Sequence, residues 1–349
     1  MLSCRKSSSR GRTCFTGPSP LANLSPAFHS EGWRTVSRER RIMAEQFQGA
    51  WNFMGISEER ARPEKARAWV LPIPYEGTTS YGAGTREGPA AIIAASRQVE
   101  RYDHELHRAP IEEFGVHTLS PLAMVHRSPE AMMEAIEHAV RDVLTGKPKP
   151  EVLCVLGGEH SISGGVARGI QRAGLKNLVS VQIDAHADLR DEYEGSSNSH
   201  ACAARRITEV CPIFQLGIRN ISAEEIEYAR TSGKATIVYA ERRDPKKYLK
   251  ALARFVRGKN VYFTIDVDGF DPSIMPCTGT PEPGGLAWEE VLEIARTICR
   301  EAAAVPVFDV VELAPLQGLR GPDFMVAKMI YKIMTYLLLW EKRRGPSAV

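Results

Sequence analysis

Two short stretches of this chain gather carboxylates where an apolar run stops. VQIDAHADLR, residues 181–190, ends in Asp184, His186 and Asp188. YFTIDVDGFDP, residues 262–272, ends in Asp266 and Asp268. On an extended chain, residues i, i+2 and i+4 point to one side, so each stretch aims its acids into one small volume. Like charges held that close repel unless a multivalent cation lies among them. A third stretch, GGEH, adds His160 behind a glycine pair that lets the backbone turn tightly. Four carboxylates and two imidazoles without a thiolate suit two hard divalent ions, Mn²⁺ or similar, better than structural zinc. Each half alone has an ordinary explanation, because D-x-D is common in turns and helix caps. All six residues at the ends of apolar runs do not.

Three further features are open to two readings each. His200, in SSNSHA, lies twelve residues past Asp188 on a polar loop. It is either a surface residue or a neutral imidazole that moves protons near pH 7 over the acids. Glu312, in DVVELAP, is a single carboxylate at the end of an apolar run. Such a group is costly without a cation; the partner is either a structural arginine such as Arg320 or a ligand guanidinium held by two parallel hydrogen bonds. Gly82, Gly84 and Gly88, in YGAGTREGPA, lack the Gly-Lys-Ser/Thr of a phosphate loop and read as a flexible turn before a helix starting near Pro89.

The elements that must position these residues alternate. Apolar, β-branched runs predict strands over Trp69–Ile73, Val152–Leu156, Leu178–Asp184, Ile213–Ile218, Thr236–Tyr239, Val261–Asp266 and Val305–Leu313. Helical periodicity falls between them over Pro89–Val99, Pro129–Leu144, Ala223–Ser232, Pro245–Val256, Trp288–Ala303 and Pro322–Trp340. The pattern implies an α/β fold with a mainly parallel sheet covered on both faces. Ligands of such sheets bind beyond the carboxyl ends of the strands, where His160, Asp184, Asp266 and Glu312 fall.

The chain has 349 residues, 43% hydrophobic and 25% charged, enough for one large core without disulfides. Its seven cysteines stand singly, which argues against a disulfide framework and for a reducing, cytoplasmic-type compartment. The first 42 residues hold eight of the 45 basic residues but two of the 42 acids, so the rest is slightly acidic and offers nothing to nucleic acid. Residues 1–42 read as a disordered extension before Met43, or as a targeting peptide that would direct the chain to mitochondria. Residues 43–349 read as one domain. The most apolar segment, Met329–Trp340, is too short to span a membrane and contains Lys332.

Taken together, GGEHS, DAHADLR, SHA, DVDGFDP, TGTPEPGGL and VELAP resemble the ureohydrolase family, arginase and agmatinase among them, over about Trp69–Leu339. PYEGTTSYGAGTREGPAAI looks like the agmatinase branch. The resemblance implies a three-layer α/β/α sandwich, a trimer or hexamer, and two Mn²⁺ ions per subunit. It implies that His160, Asp184, Asp188 and Asp266 hold one ion and Asp184, His186, Asp266 and Asp268 the other, with Asp184 and Asp266 bridging. It further implies that Glu312 grips a guanidinium, that Thr280 lines the pocket, and that Asp188 and His200 move protons as water attacks the guanidinium carbon and urea leaves. The substrate expected is a small cationic guanidino compound, agmatine first, with N1-aminopropylagmatine, 4-guanidinobutyrate or arginine as alternatives. After Asp188 come Arg190, Asp191, Glu192, Tyr193 and Glu194; the acids would attract a distal amine, whereas Arg190 would receive a carboxylate. Two other classes compete. A metal-dependent amide hydrolase would use one catalytic ion, and a silent polyamine-binding relative would lack a ligand.

Overall fold

The computed structural model describes residues 51–340, which belong to one compact unit, Gly49–Val349. The extension predicted over residues 1–42 lies outside the described residues. Eight strands form one sheet: β1 Ala68–Ile73, β2 Val116–Thr118, β3 Val152–Gly157, β4 Leu178–Ile183, β5 Ile213–Ile218, β6 Ala235–Tyr239, β7 Asn260–Asp266 and β8 Ala304–Val311. Every pairing is parallel, in the order β2-β1-β3-β8-β7-β4-β5-β6. Helices α1 Gly88–Ser96, α2 Ile111–Phe114, α3 Pro129–Thr145, α4 Ile162–Arg172, α5 Ala203–Val210, α6 Ala223–Ser232, α7 Pro245–Val256, α8 Trp288–Glu301 and α9 Gly321–Leu339 complete the body.

Successive strand residues face opposite layers. Val70, Cys154, Phe263 and Phe308 join one core with Ile92, Leu252, Ile294 and Ile330 from α1, α7, α8 and α9. Trp69, Leu153, Tyr262 and Val307 join the other with Ile136, Val166 and Ile207 from α3, α4 and α5. This is the three-layer sandwich that the alternation predicts. Among the described residues, no helix is long and apolar enough to cross a membrane; α9, the apolar C-terminal segment, is packed in the core instead.

Three helices and one strand escape the sequence pattern. β2 and α2 are three and four residues long, too short for a period to register, and α5 is only eight residues. The Ile162–Arg172 helix was hidden by Gly164, Gly165 and Gly169, residues of poor helix propensity. Packing overrides propensity there. A Cβ at Gly169 would lie 2.7 Å from Val140 Cβ and 2.8 Å from the Glu137 carbonyl, so glycine lets α4 approach α3 closely. Gly169→Ala should gain about 1 kcal/mol of helix propensity and lose about 2–3 kcal/mol to overpacking. The expected net result is a lower urea midpoint with an unchanged slope; a higher midpoint would mean the helices separate freely.

Candidate active site

The four central strands, β3, β8, β7 and β4, end side by side, and each delivers one polar group to the same rim. His160 follows β3, Asp184 follows β4, Asp266 ends β7 and Glu312 follows β8. His160, His186, Asp188, His200, Asp266, Asp268, Thr280 and Glu312 all line one cavity of about 210 Å³, room for roughly seven waters or one narrow ligand. Asp184 is fully buried beside them. Every site residue named from the sequence is thus brought together.

His160 Nδ1 is 3.0 Å from Asp184 Oδ2, 3.1 Å from Asp188 Oδ2 and 3.2 Å from Asp266 Oδ2. It is buried yet makes no well-aligned hydrogen bond. Ligands at right angles, each about 2.1 Å from one ion, are about 3.0 Å apart; the spacing fits donor atoms around a shared cation. On the other side, His186 Nδ1 is 2.8 Å from Asp268 Oδ2 and 3.7 Å from Asp184 Oδ1. Two donor groups result, His160-Asp184-Asp188 and Asp184-His186-Asp268, with Asp184 in both. Its two oxygens face different histidines, so this one carboxylate offers a donor atom to each group. Asp266 stands with the first group, while its Oδ1 accepts the Asp268 N–H at 2.9 Å. Four carboxylates, when ionised, carry the charge that two divalent cations would neutralise.

Burial alone would lower the histidine pKa values, but the carboxylates outweigh it: His160 is held well above its ordinary value and His186 is raised to about 12. Burial, then Asp184, pushes Asp188 up to about 6. Burial, then Asp268 and Asp184, pushes Asp266 well above the carboxylate range. Burial opposes the ionisation of Asp184 too, yet His160 and His186 hold its carboxyl below the usual range. Protons and metal ions therefore compete for this space, and metal uptake must release protons.

The backbone is bent to make the site. Asp188 (φ +51°) and Glu312 (φ +65°) both sit in the left-handed region, which costs a non-glycine residue about 1 kcal/mol or more. Asp188 is held by neighbours on both sides. Its carbonyl accepts the Arg205 N–H at 2.9 Å, and Glu225 Oε1 accepts the Leu189 N–H at 2.8 Å. Glu225 also closes the capping box of α6 with Ser222, so one side chain ties that helix start to the metal-facing turn.

Glu312 is buried, and its Oε1 accepts the His160 N–H at 2.6 Å. Among the described residues it forms no ion pair. Arg320 is exposed at the start of α9, where its charge acts on Asp323, so the structural salt bridge is not made. Burial, then the neighbouring Glu159, raises the Glu312 pKa well above normal. This carboxylate sits at the cavity without a cation.

The glycines of YGAGTREG prove to be a packing device. A Cβ at Gly82 would stand 2.7 Å from the Gly279 carbonyl, and one at Gly279 would stand 2.8 Å from the Gly82 carbonyl. The two chains cross backbone to backbone at the cavity wall, beside Thr280.

The entrance differs from the expectation. Asp191 pairs with Arg205 and Arg206 at 3.3 and 2.7 Å, and Glu192 and Glu194 do not line the cavity. Arg190 and Tyr193 do, with the guanidinium 5.4 Å above the ring centre. Asp191 turns out because basic residues of α5 draw it away.

Several supporting residues went unread in the sequence. Gln182 Nε2 donates to Asp184 Oδ2 at 2.6 Å, and Gln215 Nε2 donates to Gln182 Oε1 at 2.8 Å. His160 Nε2 is 3.0 Å from Thr264 Oγ1. Gln215, Gln182, Thr264 and Asp309 form one register row across β5, β4, β7 and β8, directly below the metal-facing acids. The signal was present: each is a polar residue inside an otherwise apolar strand. Such partners fix the tautomer and direction of metal ligands.

Residues 66–336 match the model of the Arginase family. The chain is 39% identical over 269 residues, 76% of its length and 88% of the relative's, to N(1)-aminopropylagmatine ureohydrolase of Synechocystis sp.. It is 32% identical, over 77% of its length and 91% of the relative's, to agmatinase of Halalkalibacterium halodurans. The crystal structure of agmatine ureohydrolase of Thermoplasma volcanium superposes with a TM-score of 0.73 at 28% identity, covering 86% of this chain and 98% of that one. Family profile, relatives and fold agree with a binuclear metal site: the chain belongs to the arginase family and is a ureohydrolase of the agmatinase type.

Proposed function

We propose that the enzyme hydrolyses agmatine to putrescine and urea, using two Mn²⁺ ions per subunit held by His160, Asp184, His186, Asp188, Asp266 and Asp268. The observation that carries this reading is Glu312, a buried carboxylate without a cation at the cavity that holds the acids. A guanidinium supplies the missing charge and two parallel donors. When bound, the ions supply a water whose pKa is lowered toward neutrality. The protein does the rest. Glu312 turns the guanidinium carbon toward the acids, and Thr280 walls the pocket. A C–O bond forms and a C–N bond breaks. Asp188 carries a proton from the attacking water to the leaving nitrogen, and His200 exchanges protons with solvent. Agmatine cation and water give urea and a protonated amine, with charge and atoms balanced.

A second reading has its own support. Relatives named N(1)-aminopropylagmatine ureohydrolase are 36–39% identical, against 30–33% for those named agmatinase. Both compounds share the guanidinobutyl end that Glu312 would grip. We place the reaction in the cytoplasm, since Cys154, Cys202, Cys211 and Cys277 are free thiols, with mitochondria as the alternative. A homotrimer or hexamer is expected.

The test is urea release by Mn²⁺-loaded enzyme from agmatine, N1-aminopropylagmatine, arginine and 4-guanidinobutyrate. The two amines should exceed the two carboxylates in kcat/KM by at least tenfold, and the reverse order overturns the reading. Arg190 forms no ion pair among the described residues and lines the cavity, so it repels a cationic tail. Arg190→Ala should raise the ratio of kcat/KM for agmatine to that for 4-guanidinobutyrate by about tenfold, roughly 1.4 kcal/mol; an unchanged ratio would place its guanidinium away from the substrate's tail.

A further inference from the structure

Glu159 precedes His160 but faces the other way. It is fully buried, and four donors converge on its two oxygens. Oε2 accepts the N–H groups of Gly77 and Thr78 at 2.6 and 2.7 Å. Oε1 accepts the hydroxyls of Thr78 and Ser161 at 2.6 and 2.5 Å. That is a load for an acceptor-only carboxylate. The Thr78 hydroxyl has one proton, and this contact uses it. Its lone pairs are left for His200, whose backbone N–H donates to Thr78 Oγ1 at 3.0 Å and whose ring Nδ1 lies 3.5 Å from the same oxygen. Ser199 Oγ stands 3.3 Å from Nδ1. The other ring nitrogen, Nε2, is 3.4 Å from Ser80 Oγ, and both of those residues line the cavity.

We infer that Glu159, acting through Thr78, holds His200 as the tautomer with hydrogen on Nδ1, so that basic Nε2 faces the cavity. The hydroxyl cannot donate to Nδ1 while it donates to Glu159, so in that contact its oxygen accepts the Nδ1–H, and Ser199 Oγ shares the same hydrogen as a second acceptor. A carboxylate two hydrogen bonds away thus sets which nitrogen moves protons, the arrangement by which a buried acid orients a catalytic histidine. Glu159 and Thr78 are positioning residues. The assignment deepens the proposed reaction, since it rests on His200 serving there as the proton carrier.

The variants are Thr78→Val, which keeps shape and removes the hydroxyl, and Thr78→Ser, which restores it. Full chain labelled with ¹⁵N-histidine and loaded with diamagnetic Mg²⁺ should show two well-separated His200 nitrogens in the wild type, Nδ1 protonated and Nε2 bare. Thr78→Val should draw the two resonances together as the tautomers mix, and Thr78→Ser should restore them. With Mn²⁺, Thr78→Val should lower kcat about tenfold at unchanged KM and unchanged ions per subunit, with Thr78→Ser within twofold of wild type. The inference is overturned if the wild-type proton sits on Nε2, if Thr78→Val leaves the resonances unmoved, or if Thr78→Ser fails as badly as Thr78→Val. A wild type that releases no urea from any guanidine sinks the proposed reaction instead, and the resonances still decide the tautomer.

Discussion

Asp184→Asn should lower urea release at least about a thousandfold and cut the bound metal from two ions per subunit to one or none. Asp184 is the one residue common to both donor groups. Its Oδ2 faces His160 and its Oδ1 faces His186, so a single substitution weakens both positions. Asparagine keeps the size of the side chain but turns one of its two acceptors, which take the Gln182 amide and the His186 N–H, into a donor, so the thermal midpoint of the variant is measured beside its rate. A melting temperature near that of the wild type shows that the variant reads loss of charge and not loss of fold. Removing one preorganised electrostatic partner of a transition state costs about 10²–10³ in rate, and in the proposed reaction the group would also hold the ions that activate water. The check is metal counted on the same sample as the rate. A variant that keeps two ions and a tenth of the activity would show that Asp184 is a structural acid.

Glu312→Gln should reduce kcat/KM for agmatine by more than a hundredfold while leaving the metal content unchanged. The glutamine retains one acceptor for the His160 N–H, so the rim keeps its shape. It loses the charge and one of two oxygens for the guanidinium. Removing one partner of a buried, hydrogen-bonded charge pair costs about 2–5 kcal/mol, which is roughly 30-fold to several thousandfold. Part of the loss should fall on kcat, because a guanidinium not fixed in direction presents its carbon poorly. A change confined to KM would make Glu312 a general cation attractor and no more.

Both residues were legible in the sequence because each is a carboxylate ending an apolar run. Asp266, Asp268 and the imidazole of His160 also follow apolar runs, and strand-end geometry gathers them without further information. What lay beyond reading was the non-local part. Nothing local says that β8 inserts between β3 and β7, although that placement is what sets Glu312 beside His160. The left-handed turns at Asp188 and Glu312 leave no mark either, since neither is glycine or asparagine and the surrounding contacts impose them. The helix with Gly164, Gly165 and Gly169 gave no period because Gly165 and Gly169 answer to α3 and Gly164 to Arg206 of α5, not to their own backbone. The entrance was misread for a related reason. Asp191 follows Asp188 closely in sequence, but its side-chain direction is settled by Arg205 and Arg206 from another element. Gln182, Gln215 and Thr264 are the instructive case, since polar residues inside buried strands were visible but carried no meaning until register placed them in one row.

Titrating metal-free enzyme with Mn²⁺ while following both heat and urea production is the most direct measurement. Two ions should bind per subunit, with activity rising as the second site fills and protons released throughout. Saturation at a single ion with full activity, or activity with none, would contradict a reaction driven by a pair of cations among these strand ends.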